Sequence, residues 1–296
     1  MRDDNHEDLR SNHKWAWTLI DPHEARFTRD GFEVISARLD PELISELKRE
    51  IDAFVSAYDI EGEQQILRRD HQDRGDLETF LRSATQVHGF LEVEALNEHG
   101  ALRVPRAQAL NKLGHALHDH LPAFQKLARS RATRAAFSAA GFAETEIDQS
   151  MVIFKSPHIG GDVRWHQDAT YLRTCPSRVL GVWFALEDAT RENGCLWMAP
   201  GHHHSPLRER YVVDWQTRTG QLETLNTSPW PEDAESIPVE VEAGQIVIFH
   251  DHMPHRSSPN HSDSSRVAVT LHGHERSAQW LKENWLHRGD LEPFVI

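Results

Sequence analysis

The chain has 296 residues, 39% hydrophobic and 26% charged, which is enough for one large domain with a real core and ordinary for a soluble globular protein. A formal net charge of −14 opposes wrapping nucleic acid or lying on an anionic membrane, and no apolar run is long enough to span a bilayer. Two cysteines, Cys175 and Cys195, supply neither a disulfide framework nor a CxxC spacing.

The acidic stretch Met1 to Asp8 reads as neither a signal nor a transit peptide, and Pro293-Phe294-Val295-Ile296 carries no peroxisomal address. A reduced, cytoplasmic protein is the expectation. Residues 1–14 form a polar extension, and Trp15 to Asp21 are apolar enough to pack onto a single domain covering 15–296. Asp30-Gly31-Phe32-Glu33-Val34-Ile35 is a Gly-bounded alternating run that predicts a first strand. Asp40-Pro41 predicts a helix start, with Asp as N-cap and Pro at the first helical position. Leu43, Ile44, Leu47, Ile51, Phe54 and Val55 then form its buried stripe. Residues 59–80 are charged, and Arg68 to Gly75 reads as a solvated loop. After an irregular stretch at 97–110, Leu113, Ala116, Leu117, Leu121, Phe124 and Leu127 fit one helical face. His115 and His118 lie three apart on that predicted helix, where they could meet a common ligand; they read as structural or pocket-lining. Arg131 to Ala140 predicts a short helix ending near Gly141, so helices are expected mainly over 40–140.

From Gln149 the character changes. Met151 to Phe154, Val179 to Leu186, Val239 to Glu242, Gln245 to Phe249 and Arg266 to Leu271 read as strands, separated by turn signals at Asn193-Gly194, Pro200-Gly201 and Ala243-Gly244. Helices followed by many short strands, mainly over 149–275, indicate an α+β fold with a barrel or sandwich. There is no internal repeat. The insertion at 205–235 is either a lid over a pocket or a surface excursion.

Chemistry gathers around Arg164-Trp165-His166-Gln167-Asp168. On an extended segment, residues two apart share a face, which sets the nitrogen donor of His166 beside the oxygen donor of Asp168. A second histidine would complete two nitrogens and one carboxylate on one face of a metal, the donor set of non-haem Fe(II) and O2 chemistry. Alone, H-x-D describes many solvated strand faces. Phe249-His250-Asp251-His252-Met253-Pro254-His255-Arg256-Ser257 offers three further histidines after a buried strand, and spacing does not choose among His250, His252 and His255. In the next strand Arg266, Ala268 and Thr270 share one face. If that face lines a barrel, the Arg266 guanidinium is buried, where an isolated charge is costly and a bidentate carboxylate is its natural partner. A metal beside such an arginine points to a keto acid as co-substrate.

These residues carry a family resemblance. Asn111 to His118, Gln149 to Lys155, Pro157 to Gly161, His166 to Ala169, Gly181-Val182-Trp183, Glu187 to Trp197, Pro200-Gly201, His255-Arg256-Ser257, Ser262-Asp263 and Glu283 to Leu286 resemble, in the same order, the phytanoyl-CoA dioxygenase family of Fe(II)/2-oxoglutarate oxygenases. Within it the chain is most similar to the stand-alone phytanoyl-CoA dioxygenase domain-containing proteins. The resemblance implies a double-stranded β-helix (jelly-roll, cupin-like) barrel flanked by helices. It implies that His166, Asp168 and His255 hold Fe(II), that Arg266 binds the distal carboxylate of 2-oxoglutarate with help from Ser257, and that Lys112, Met151 and Trp183 contact the co-substrate. It selects His255 over His250 and His252, and it places His202-His203-His204 in a turn.

The implied activity consumes O2 and 2-oxoglutarate, gives succinate and CO2, and hydroxylates a small organic molecule. Asp168 favours hydroxylation over halogenation, because halogenating relatives carry a small residue there; desaturation and ring chemistry keep the same ligands. The rivals are a cupin-like metalloenzyme that uses no keto acid, against which Arg266 and Ser257 speak, and a non-catalytic protein that binds 2-oxoglutarate or iron. A small-molecule substrate and a monomer or weak homo-oligomer are expected. Arg164, Tyr171 and Arg173 are candidate pocket residues, and no basic cluster suits a CoA phosphate.

Overall fold

Asp30-Gly31 turns the chain into the strand Phe32–Arg38, which pairs antiparallel with Gln245–His250. The computed structural model in which this is seen describes residues 22–60 and 77–296. The expectations for residues 1–21 and for Arg68 to Gly75 lie outside the described residues.

From Phe32–Arg38 the main sheet continues through Gln245–His250, Val179–Ala185, Arg266–Glu275, Thr145–Lys155, Leu110–His115 and Val87–Leu91, with every neighbouring pair antiparallel. A second sheet runs Ile237–Val239, Leu196–Met198, His255–Ser257 and Val163–His166. The two sheets face one another as a double-stranded β-helix. Alternation along the strands explains why both faces of the main sheet are covered. Val182, Phe184, Ile246, Ile248, Val269 and Leu271 pack into the core shared with the helices. Their neighbours Trp183, Ala185, Val247, Phe249 and Ala268 pack instead with Leu196, Met198 and Val239 of the second sheet. A strand buried on both faces reads as a continuous apolar run rather than an alternating one, as Val179 to Leu186 does.

The helix Pro41–Ala57 forms where its sequence signals place it. The Asp40 side chain accepts from the Glu42 amide at 2.8 Å, and Leu43, Leu47, Ile51 and Val55 are buried against the sheet. Arg131–Ala139 likewise forms a helix, capped by Ser130.

The single helix expected across Leu113 to Leu127 is not formed. Leu110–His115 is a strand, paired on one side with Val87–Leu91 and on the other with Thr145–Lys155. Two short helices follow, Leu117–His120 and Pro122–Ala128, the second starting at a proline after the extended Leu121. Leu113, Leu117, Phe124 and Leu127 all reach the same core, so the apolar spacing was real but came from three elements. The expected helical region 40–140 is therefore interrupted by two strands. The strand read at Val239 to Glu242 is instead Ile237–Val239, with Val241 making an isolated bridge to Ala189. The insertion at 205–235 contains a hairpin, Glu209–Asp214 with Thr219–Thr224, whose Tyr211 and Val213 pack with Leu81, Leu172, Trp285 and Leu286.

Because the Asp40 cap satisfies an amide that has no partner within the helix, Asp40→Ala should lower stability by about 1 kcal/mol. Urea unfolding would show this as an earlier midpoint at unchanged slope, and an unchanged midpoint would refute the cap's contribution.

Candidate metal centre

The register of the second sheet builds the site. His255 is the direct cross-strand partner of His166, and their rings lie 4.1 Å apart between centroids. Each Nδ1 bonds a backbone carbonyl two residues earlier, His166 to Arg164 O at 3.0 Å and His255 to Met253 O at 2.9 Å. A carbonyl only accepts, so both Nδ1 atoms carry the proton and both Nε2 lone pairs are left for a metal.

Asp168 arrives differently from the expectation of one extended run. The strand ends at His166, Gln167 remains extended, and Asp168 opens a 3-10 turn, Asp168–Thr170. That single extended residue keeps the two side chains on one side. Asp168 Oδ1 lies 3.7 Å from His166 Nε2 and 3.8 Å from His255 Nε2. One ligand atom from each of these residues falls within 4.8 Å of the others, and this is the one such group of three among the described residues. Gln167 locks the turn from behind, donating to His252 O at 2.9 Å and accepting from the Arg208 amide at 3.1 Å. His250 and His252 stay outside the group. His250 Nδ1 accepts from the His252 amide at 3.0 Å, and its ring packs against Phe27 and His203. His202–His204 is a 3-10 turn after a left-handed Gly201, as the turn reading required.

Protonation states suit metal binding. Burial, reinforced by His255, lowers the His166 pKa to about 3. Burial pushes the Asp168 carboxyl up, but His272, His255 and His166 together outweigh it and hold the group well below the usual carboxylate range. At neutral pH His166 offers a neutral nitrogen and Asp168 an anionic oxygen; with the His255 Nε2 they form a donor set suited to a divalent transition metal with open positions.

Of the remaining candidates, Lys112 and Met151 share a cavity with His166 and Asp168, whereas Arg266, Ser257 and Trp183 are not among its lining residues. Arg266 is buried to 1% exposure, its Nε and Nη1 have no hydrogen-bond partner, and its guanidinium carbon lies 5.6 Å from the centre of the Trp183 ring. Burial lowers its pKa to about 10, against the pull of Cys195 and Glu187, so it stays charged. A buried guanidinium lacking acceptors fits a carboxylate that the chain itself does not supply. Ser257 is buried on the strand that carries His255. Lys112 has the Met151 sulfur 4.0 Å from its Nζ. Burial lowers its pKa to about 8, with Asp168 pulling the other way.

A cavity of about 200 Å³ opens on the Lys112 and Asp168 side and is lined also by His166, Met151, Gln149, His115, Phe80 and Trp285. Arg164 and Tyr171 line it and Arg173 does not. His115 and His118 are indeed pocket-lining and structural, although no single helix carries both. His115 Nδ1 bonds Ser83 Oγ at 2.7 Å, and His118 bonds Ser150 and Arg288. Sequence reasoning missed His272, whose Nε2 bonds Asp168 Oδ2 at 2.9 Å. The signal was present, because the alternation that turned Arg266, Ala268 and Thr270 inward continues to His272. Phe80 and Trp285, stacked with centroids 4.2 Å apart, carried no such signal.

A double-stranded β-helix in which two histidines and a carboxylate converge, and whose main sheet also carries a buried arginine, is the fold of the Fe(II)/2-oxoglutarate oxygenases. The profile of the phytanoyl-CoA dioxygenase (PhyH) family matches residues 27–268, and the chain belongs to that family. It is 35% identical to phytanoyl-CoA dioxygenase domain-containing protein 1 of Danio rerio over 283 residues, covering 93% of this chain and 97% of the relative. It is 34% identical to phytanoyl-CoA dioxygenase 1 of Oryza sativa subsp. japonica, covering 92% and 95%. Among solved structures it resembles the non-heme alpha-ketoglutarate-dependent carbocyclase SnoK from nogalamycin biosynthesis, with a TM-score of 0.61, 19% identity, and coverage of 94% of this chain and 92% of that one. It also resembles the epimerase SnoN in complex with Fe3+, alpha ketoglutarate and nogalamycin RO, with a TM-score of 0.60, 18% identity, and coverage of 90% and 88%. At these identities the likeness shows the fold. The family uses iron and 2-oxoglutarate.

Burial is the leading cause that holds His118 and His166 at about 3 and His203 at about 4, against an ordinary 6.5. A depressed histidine pKa means that the unfolded chain takes up protons first as the pH falls. The stability from keeping these rings neutral is therefore present above pH 6.5 and lost on acidification. The metal-free protein should show a urea midpoint that falls steadily from pH 6.5 to pH 4; a flat midpoint across that window would contradict the assignment.

Proposed function

We propose that the protein is an Fe(II)- and 2-oxoglutarate-dependent dioxygenase that hydroxylates a small organic molecule. The observation that carries this reading is the presence, in one barrel, of the His166, Asp168 and His255 donor set and of a buried Arg266 whose Nε and Nη1 lack an acceptor. His166, Asp168 and His255 would hold the metal. When bound, iron and 2-oxoglutarate together supply O2 activation coupled to oxidative decarboxylation, yielding succinate, CO2 and an oxygenated product.

The chain's own residues do the rest. The Arg266 guanidinium would bind the distal carboxylate with help from Ser257, and Trp183, Met151 and Lys112 would contact the co-substrate. Lys112 and Asp168 attract one another across the cavity that both line. Stacked Phe80 and Trp285 and the neighbouring Leu172 shield the cavity from water.

The cavity also bears on the substrate. At about 200 Å³ it lies below the usual range for drug-sized ligands, which supports a small molecule rather than an enclosed acyl-CoA. Arg164 at its mouth already faces Glu209 at 3.8 Å, so it is not a spare phosphate ligand. Neither cysteine is in a disulfide, and no helix among the described residues is long and apolar enough to cross a membrane.

With Fe(II), ascorbate, O2 and 2-oxoglutarate, the purified protein should release succinate even without substrate, and His166→Ala or Asp168→Ala should abolish that release. No turnover by the wild-type protein would sink the oxygenase reading. Removing one partner of a buried charge pair costs about 2 kcal/mol or more, so Arg266→Ala should raise the 2-oxoglutarate requirement by roughly 30-fold or more. An unchanged requirement would move the co-substrate elsewhere and favour a metalloenzyme that uses no keto acid.

A further inference from the structure

We propose that His272 is a positioning residue that makes Asp168 a one-oxygen ligand. The inference rests on the iron-site reading above. His272 lies on Arg266–Glu275 with Gln149 opposite it on one neighbouring strand and Gly181 on the other, and it is 3% exposed. Its Nε2 meets Asp168 Oδ2 at 2.9 Å, and its Nδ1 has no hydrogen-bond partner. An imidazole kept only for a polar network would be expected to use both nitrogens; this one spends its single hydrogen bond on a ligand carboxylate.

The two oxygens of Asp168 are thereby given different tasks. Oδ1 faces His166 Nε2 at 3.7 Å and His255 Nε2 at 3.8 Å, while Oδ2 is turned away toward His272. The backbone of the turn is held separately, by the Ala169 amide on Asp251 O at 2.9 Å and the Tyr171 amide on Asp168 O at 2.8 Å. Those bonds place Cα but leave the carboxylate free to rotate about its last torsion. A carboxylate that chelated through both oxygens would occupy a coordination position that the facial arrangement leaves open. The hydrogen bond from His272 prevents that rotation, because a carboxylate only accepts and the imidazole donates. The metal site therefore draws on three strands beyond its own turn: Val163–His166 and His255–Ser257 for the ligands, and Arg266–Glu275 for both the orienting histidine and Arg266.

The test compares His272→Leu, which fills the space without a donor, with His272→Gln, which keeps a donor of similar reach. Co(II) serves as the probe, with affinity read by calorimetry and geometry by the visible absorption bands. The Leu variant should bind Co(II) roughly 10- to 100-fold more weakly than wild type, the range for loss of an orienting partner, with altered bands. The Gln variant should recover most of the affinity and the wild-type bands. A folded Leu variant with wild-type affinity and spectrum overturns the inference. Should the Leu variant not fold, nitrogen-15 labelling of histidines in the wild-type protein decides the matter: a proton on His272 Nε2 supports the inference, and a neutral ring protonated only on Nδ1 overturns it. Wild-type protein that takes up no Co(II) overturns the iron-site reading and this inference together, whereas binding indifferent to His272 overturns this inference alone.

Discussion

Two imidazoles meet because two short strands pair, and much else in the site is a consequence of that ladder. His255 stands opposite His166, and each ring is turned by the backbone carbonyl two residues earlier. The backbone that positions the ligands thus also selects their tautomer. Side-chain rotamers alone would leave each ring free to present either nitrogen. The ladder removes that freedom twice over, and Asp168 then needs only one extended residue, Gln167, to join. Gln167 is in turn anchored to His252 O and to the Arg208 amide, so the connection between donors is held from both ends.

Electrostatics works against the protein's average. The chain is strongly acidic, at −14, yet its barrel encloses Arg266, Lys112 and Lys155. Lys155 bonds Gly161 O at 2.5 Å and Ser257 O at 3.5 Å. Arg266 finds no such acceptors for Nε and Nη1. Inside a low-dielectric barrel the cost of an unpaired cation is several kilocalories per mole in effective terms, and a dianionic co-substrate would offset it. Exterior charge therefore says little about which ligands the interior favours, and the negative sum at the surface is compatible with an anion-binding cavity.

The main-sheet strands within 149–275 were legible because strand alternation is local: Arg266, Ala268 and Thr270 declared an inward face, and Val179 to Leu186 declared burial on both sides; the three-residue strands Leu196–Met198 and His255–Ser257 are too short to show a period. H-x-D gained meaning only from the residues that resemble a family, since no spacing rule separated His255 from His250 and His252. The misreading at Leu113 to Leu127 has a clear cause. Leu110–His115 pairs with Val87–Leu91 and Thr145–Lys155, and the long-range hydrogen bonds of a middle strand outweigh a helical spacing shared by accident with the next two helices. His272 was legible in principle, two residues beyond Thr270 on the same face. Phe80, Trp285 and the hairpin Glu209–Asp214 with Thr219–Thr224 were not, because their meeting depends on how distant segments fold over the barrel.

That last distinction separates the metal donors from part of the cavity wall. The metal donors and Arg266 sit on sheet strands or directly beside them, where register fixes position to within the pleat. The cavity wall has two parts: Lys112, His115, Gln149, Met151, His166 and His272 come from strands of the two large sheets, while Phe80, Tyr171, Leu172 and Trp285 come from pieces outside them. Phe80 comes from the helix Leu77–Arg82 and stacks on Trp285 from the C-terminal stretch, and Tyr211 of the hairpin meets Phe80 edge-on with centroids 6.1 Å apart. Arg218 at the hairpin's end pairs with Glu78 of that same helix at 2.8 Å, tying the three segments to one another as well as to the barrel. A wall held by its own contacts can change shape while the ladder between His166 and His255 keeps its register. The outer part of the cavity therefore depends on the packing of Phe80 and Trp285, which Tyr211 buttresses, and its inner part on the strands beneath them.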